Sequence, residues 1–452
     1  MLRGRRTWRA VRRRKMRRPR GFLGMWLVCS VTAGAAEPWS LERALAYALA
    51  HNPDAQIAQQ RIDAAQARLE QANSAFWPRL QVQSGYTRTD NPMMVFGSIL
   101  NQRSYSTSLN FNDVPDVDDL NARGIVTVPL YAGGRNVASR QAAKANTEAA
   151  RQERAAIRNA LGFEVSRAFH TVLKTRQFIH AAEAAVKSFE TNLVVAGKRL
   201  EGGTLLKSDV LDLEVRLAQA REDLVRARNA KALAERALRN LLGIEDGELI
   251  AADTAPVVSA PHAADFSQRP EVATARERES AAQAQVRGMK SGYQPRVSAF
   301  GSFDYDYGWV TGGDGRSYTA GVMAQWDLWD GFSTRSKIRE AQANLESARE
   351  EQRKLRLAID FEVEQARLNL KAADERLAVS GQAVAQATES ANLTRHRFEQ
   401  GLALSTQLID SETALVAARV RRAEAESDQR IAIAALRKAL ALPQLDSPPS
   451  SK

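Results

Sequence analysis

The chain has 452 residues, a single cysteine and a formal net charge of +12. A basic balance of that size points to nucleic acid or an anionic surface, but eleven basic groups fall within residues 1–20, and without them the rest carries +1. A nucleic-acid partner loses its basis, and one cysteine leaves no material for a disulfide framework or a thiolate metal site.

The leader is read first. Its basic residues are Arg3, Arg5, Arg6, Arg9, Arg12, Arg13, Arg14, Lys15, Arg17, Arg18 and Arg20. An apolar run follows (Phe22, Leu23, Met25, Trp26, Leu27, Val28, Val31) and ends in Ala33-Gly34-Ala35-Ala36. A basic start, a short apolar run and an A-x-A site predict a secretory signal over 1–36, cleaved after Ala35 or Ala36. The run is too short for a span, which needs ~20 apolar residues. Met16 offers an alternative start. Cys29 follows Val28, not the small residue of a lipoprotein signal, and reads as part of the apolar run. Beyond residue 36 no stretch is apolar and long enough for a membrane helix, so an exported membrane protein of this sequence must span with strands.

Ser40 predicts the cap of a short helix over 41–51, and Asn52-Pro53 opens a second over about 53–76. Strands are predicted at about 79–88 and 121–131. A long helix covers about 136–200, a tight tip 199–208, and a return helix about 207–243. Residues 244–268, rich in Ala, Pro and Asp, form a linker. The pattern then repeats. Asn52-Pro53 through Trp77-Pro78-Arg79-Leu80 matches Arg269-Pro270 through Gln294-Pro295-Arg296-Val297 at an offset of 217. Phe163-Glu164-Val165 matches Phe361-Glu362-Val363 at an offset of 198. The first repeat (37–243) therefore carries 19 extra residues, near 88–120, relative to the second (269–442). The second predicts a helix at about 270–293, strands at about 296–310 and 316–329, a long helix at 333–400, a tip at 397–406 and a return helix at 405–442. Residues 443–452 are expected to form a disordered tail.

The first long helix carries an apolar seam in steps of four and three: Leu161, Val165, Ala168, Val172, Thr175, Ile179, Ala182, Val186, Phe189, Leu193, Ala196 and Leu200. Its repeat runs from Ile359 to Phe398 at the same spacing. A mean step of 3.5 is the coiled-coil period. A helix of 65 residues reaches ~100 Å at 1.5 Å per residue. The short and return helices together match one long helix, which predicts two stacked helices beside each long one.

The strands alternate. Val297, Ala299, Gly301, Phe303, Tyr305, Tyr307 and Trp309 share one face; Ser298, Phe300, Ser302, Asp304, Asp306 and Gly308 share the other. The other three strands do likewise, with Trp77, Tyr131, Trp309, Trp326 and Trp329 toward strand ends. This is the pattern of a membrane barrel exposed to lipid. Four strands cannot close a barrel, which needs at least eight, and open edges are not tolerated in lipid. The chain must oligomerise.

The duplicated half, the junctions at Pro78 and Pro295, and the strand ends Pro129-Leu130-Tyr131-Ala132-Gly133-Gly134-Arg135 and Asp327-Leu328-Trp329-Asp330-Gly331 together resemble the TolC-type outer-membrane efflux proteins. So do the turns Arg199-Leu200-Glu201-Gly202-Gly203 and Arg397-Phe398-Glu399-Gln400-Gly401. The resemblance covers about residues 38–442. It implies a mainly α fold with a membrane β-barrel portion: a homotrimer with a twelve-stranded barrel in outer-membrane lipid and a long α-barrel crossing the periplasm. It further implies an exit duct of a tripartite efflux pump or type I secretion system, docked onto a periplasmic adaptor linked to an inner-membrane transporter. By position, the adaptor-docking tips are Arg199, Leu200, Gly203, Leu206 and Ser208, and Arg397, Phe398, Gly401, Leu404 and Ser405. The periplasmic gate falls at Asp209, Gln407 and Asp410. Two acids one turn apart are common in the second half of relatives; Gln407 replaces the first here, and Ala403 stands where some relatives carry a basic lock.

Acids opening a helix are also ordinary dipole partners, and glycines at helix ends ordinary left-handed caps. His51, His170, His180, His262 and His396 show no ligand spacing, and neither a phosphate loop nor a nucleophile elbow is present. No enzyme activity and no cofactor are expected. The alternative is a soluble periplasmic coiled-coil scaffold or adaptor-like protein. The 19 extra residues, with Asp113, Asp116, Asp118 and Asp119, are expected to form a solvated acidic outer loop, with a lid or cation-attracting funnel as the alternative.

Overall fold

A computed structural model describes residues 38–446, except 111, 248, 249, 257, 262–265 and 267. The expected signal, with Met16 and Cys29, lies outside the described residues. The elements run α1 (Leu41–His51), α2 (Pro53–Ser74), β1 (Arg79–Thr89), α3 (Pro92–Asn101), β2 (Val117–Tyr131), α4 (Arg135–Glu201) and α5 (Lys207–Leu242). After the linker come α6 (Pro270–Lys290), β3 (Arg296–Tyr307), β4 (Asp314–Gln325), α7 (Ser333–Glu399) and α8 (Ser405–Ala439).

Local chemistry sets the helix ends. The Ser40 hydroxyl accepts from the Arg43 amide at 3.1 Å, capping α1, and the Asn52 side chain accepts from Asp54 at 2.7 Å, capping α2 ahead of Pro53. No proline interrupts α4 or α7, each of 67 residues. Each ends at a glycine turn, where Gly203 (φ 70°) and Gly401 (φ 81°) take the left-handed conformation.

The helices form a wall of four columns. α4 packs between α2 and α5 on one side and α6 and α8 on the other, and α7 lies beyond α6 and α8. Two columns are stacks. Asn52 Nδ2 at the start of α2 donates to the Leu241 carbonyl at the end of α5 (2.8 Å). At the equivalent joint Arg269 Nη1 donates to the Ala439 carbonyl at the end of α8 (3.2 Å). Arg269 is buried and also reaches Glu271 and Glu362 (2.8 and 2.7 Å), while Lys438 reaches Glu362 at 2.9 Å. Burial alone would push the Glu362 carboxyl up, but Arg269 and Lys438 hold it below the usual range. All twelve seam positions of each long helix are buried or half-buried. Full burial of side chains such as Phe169 and Leu238 contributes ~1.5–3 kcal/mol each; the many alanines contribute less but let backbones approach.

The sheet is a four-stranded antiparallel meander, β1-β2-β3-β4, so β1 and β4 are its edges. No helix among the described residues is long and apolar enough to cross a membrane.

Three expectations need correction. The outer segment after β1 is not a plain acidic loop: Asn91 caps the apolar helix α3, and β2 begins at Val117, taking Asp118 and Asp119 into the sheet. β3 stops at Tyr307 and β4 at Gln325, short of the expected 310 and 329. The reasons are local, since the Gly308 amide donates to the Gly313 carbonyl to close the turn and Asp330 turns inward to cap α7 through the Thr334 amide (2.7 Å). The tail does not leave the surface at Pro443. Arg437 donates to the Pro443 and Leu445 carbonyls and pairs with Asp446 at 2.6 Å, holding 443–446 against Ser259 of the linker.

Candidate channel wall and gate

The strand register assigns each sheet face, because residues directly opposite point the same way. Across the four strands, Leu80 pairs with Val126, Val126 with Gly301 and Gly301 with Ala320; Val82 pairs with Gly124, Gly124 with Phe303 and Phe303 with Tyr318. One face is therefore an apolar band from edge to edge, and its Leu80, Val82, Phe303, Tyr318 and Val322 are exposed. Tyr86, Tyr307 and Trp309 cluster at its outer end, with the Trp309 ring 5.7 Å from Tyr86 and 5.2 Å from Tyr307. An apolar band of this extent is uncommon on a soluble surface.

The opposite face is polar. Gln83 pairs with Arg123 and Arg123 with Asp304; Gly85 pairs with Asn121 and Asn121 with Asp306. Arg123 forms an ion pair with Asp304, and Asn121 Nδ2 donates to Asp306 at 2.8 Å. Charged groups on one side and apolar groups on the other is what a strand needs between a lumen and hydrocarbon.

At the far end of the helices, the structure brings the two tips together. Arg199 Nη1 donates to the Phe398 carbonyl (2.9 Å), Nη2 to Thr204 (3.2 Å), and the guanidinium lies 4.8 Å above the Phe398 ring. The Asp209 carboxylate accepts from the Leu206 amide at 3.3 Å and from the Ser405 hydroxyl at 2.5 Å. Asp209 thus caps its own helix and holds the opposite tip. Gln407 accepts from the Leu404 amide at 3.3 Å. Asp410, one turn on, is exposed.

The expected tip residues divide into three sets. Phe398 and Ser405 are buried, Phe398 within a core with Leu213, Leu408 and Ile409. Leu200 and Arg199 are half-buried. Gly203, Leu206, Ser208, Arg397, Gly401 and Leu404 are exposed. Leu206 and Leu404, related by the 198 offset, are 70% and 67% exposed, which leaves the same apolar side chain at both tips.

One tie escaped the sequence reading. Glu412 is buried and accepts from Arg395 at 2.5 Å, and the same guanidinium reaches Ser188 of α4 at 3.4 Å. An exposed glutamate and this buried one look alike in sequence. The signal was that the first repeat has Gly197 where the second has Arg395.

Comparison with known proteins agrees with this geometry. CyaE of Bordetella pertussis is 25% identical over 331 residues, 70% of this chain and 66% of that protein, so the match spans just under two thirds of the relative. The fold matches the Campylobacter jejuni CmeC outer membrane channel with a TM-score of 0.79 at 14% identity, covering 90% of this chain and 87% of that one. It matches the outer membrane protein VceC of Vibrio cholerae with a TM-score of 0.74 at 20% identity, covering 89% and 96%. The family model described as outer membrane efflux protein matches residues 44–244 and 266–442. With the duplicated helix wall, the two-faced sheet and the paired tips accounted for by that one architecture, the chain belongs to the outer membrane efflux protein family.

Proposed function

We propose that three copies of this chain close into a passive exit duct, with a twelve-stranded barrel in the outer membrane and a twelve-column helical tube below it. One observation carries the reading: the open edges of the sheet and of the helix wall coincide. β1, α2 and α5 end the molecule on one side, and β4 and α7 end it on the other. Leu357, Phe361, Leu368, Val379 and Leu393 of α7 are exposed and share one narrow stripe of a helix with ~3.6 residues per turn. Their repeat mates on α4, which are Asn159, Phe163, His170, Ala181 and Val195, are all buried or half-buried, because α8 and α6 cover that face. On the other edge Leu211, Val225 and Leu233 of α5 are exposed, while their mates Ile409, Ala423 and Ile431 on α8 are covered. Each exposed stripe is what the repeat leaves uncovered for lack of a neighbour. A head-to-tail contact between copies supplies it and, repeated, closes a ring.

In this duct the apolar sheet face meets lipid and the face with Arg123, Asp304 and Asp306 lines the lumen. The tips, with Leu206 and Leu404, meet a periplasmic adaptor joined to an inner-membrane transporter, as family membership supports. Asp209, Gln407 and Asp410 encircle the periplasmic mouth, with Asp209 acting through its tie to Ser405. A soluble periplasmic scaffold or adaptor-like protein leaves the exposed apolar sheet face without a purpose.

Fractionation and gel behaviour test this reading. The protein is expected in outer membranes as a trimer that survives mild detergent and dissociates on heating. Detergent-purified protein that is monomeric by light scattering yet forms conducting pores defeats it.

A further inference from the structure

The segment that distinguishes the first repeat from the second, α3, has two apolar faces, and only one is used. Val95 and Ile99 are buried against Val117. In the β1–β2 register Val117 has the same parity as Asp119, Asn121 and Arg123, so α3 lies across the polar face of the sheet at its outer end. The fixing is specific. Gln102 is fully buried; its Nε2 donates to the Asp118 carbonyl (2.7 Å) and the Asp119 carboxylate (2.9 Å), and its Oε1 accepts from the Thr311 hydroxyl at 2.6 Å. One side chain thus ties α3 to β2 and to the β3–β4 turn. The turn admits α3 only because it is built of glycine: a Cβ at Gly315 would overlap the Asn101 carbonyl, and one at Gly313 the Ser104 hydroxyl. Opposite the buried face, Met93 and Leu100 lie two turns apart on one stripe and are 78% and 45% exposed, with nothing near Gly97 between them.

We infer that the Met93–Gly97–Leu100 stripe of α3 meets the same stripe of the other two copies, so that three α3 helices form an apolar constriction at the outer mouth. The inference rests on the three-copy reading. It follows from direction: a helix held against the lumen face of each copy presents its free face toward the axis, where the only chemically matching surface is its own copy. Apolar constrictions of this kind gate by excluding water. The outer mouth is then closed by a device separate from the tips, about one molecule length away.

Cysteine linking tests it in outer-membrane vesicles. Because Cys29, the one native thiol, lies in the expected signal, Met93→Cys treated with a short bismaleimide is expected to give covalent dimers within intact trimers. Gln102→Ala, which releases α3 without touching the stripe, is expected to raise single-channel conductance about twofold. Trimers in which Met93→Cys does not link overturn the inference, as does unchanged conductance of Gln102→Ala trimers. Protein that forms no trimers at all, with or without these substitutions, overturns the three-copy reading beneath it.

Discussion

The two helical hairpins descend from one unit, yet their tips are wired differently. In the first, Glu214 is exposed and Gly197 stands at the position of Arg395; in the second, the equivalent Glu412 is buried on Arg395. Arg199 is spent on the Phe398 carbonyl, while its mate Arg397 is exposed. Asp209 reaches across to Ser405, while its mate Gln407 closes only its own helix turn. The ties within a chain thus take their donors and acceptors from specific members of each duplicated pair. Duplication supplied a symmetric wall, and divergence at a handful of positions decided which side chains tie the two hairpins within one chain.

The sharpest way to break the comparison is to remove Glu412. Truncating Glu412 strands the charge of Arg395, which is only half-buried, so the cost falls at the low end for buried pairs, ~3 kcal/mol. Glu412→Ala is expected to lower the thermal midpoint of the α7–α8 hairpin and expose it to protease, while Glu214→Ala, its exposed mate, changes little. Equal effects from the two substitutions would erase the distinction.

Acid tests the seam between the hairpins. His170, buried between α4 and α8, is held down to about 4 by burial and by Arg430. The unfolded imidazole titrates near its ordinary 6.5. A depressed histidine stabilises the fold fully above pH 6.5 and loses that contribution as pH falls toward 4, at a cost of up to ~3 kcal/mol. His170→Leu is expected to flatten this part of the decline in helical signal on heating at pH 4.5 relative to pH 7. Its repeat mate is Leu368, exposed on α7, so no matching acid sensitivity should arise at the outer edge.

Most of the fold was legible because its signals were long and repeated. A seam sustained over forty residues and echoed at a fixed offset leaves little room for another structure. Strand alternation similarly fixed which face is apolar. Short-range features were less legible. The α3 helix was hidden because its ten residues precede an aspartate-rich stretch that dominated the composition of the whole extra segment, and its placement depends on Gln102 and on glycines two hundred residues away. The buried state of Glu412 was invisible for the same reason, since it depends on a partner one hairpin arm distant. At the tips, the family pattern offers candidate positions, but the division into inward Phe398 and Ser405 and outward Leu206 and Leu404 depends on helix phase at the turn. That phase is set by Gly203 and Gly401 at positive φ, where a side chain would cost ~1–2 kcal/mol.

The smallest expected effect concerns Asp410. In the proposed three-copy duct, with Gln407 uncharged, the exposed Asp410 of each copy would be the carboxylate left to hold a cation at the mouth. Exposed charges a Debye length apart are largely screened at physiological ionic strength, ~8 Å, so the ring is effective only if the three tips approach closely. The proposed gate requires that they do so in a closed mouth and separate in an open one. Asp410→Asn is therefore expected to weaken block by a divalent cation added on the periplasmic side about twofold, and raised salt should abolish the difference. Gln407→Asp should strengthen block by a similar factor, because it restores the second acid one turn away. If both substitutions leave block unchanged, Asp410 lies outside the constriction, and the ties through Asp209 and Arg395 carry the closed state without help from charge at the axis.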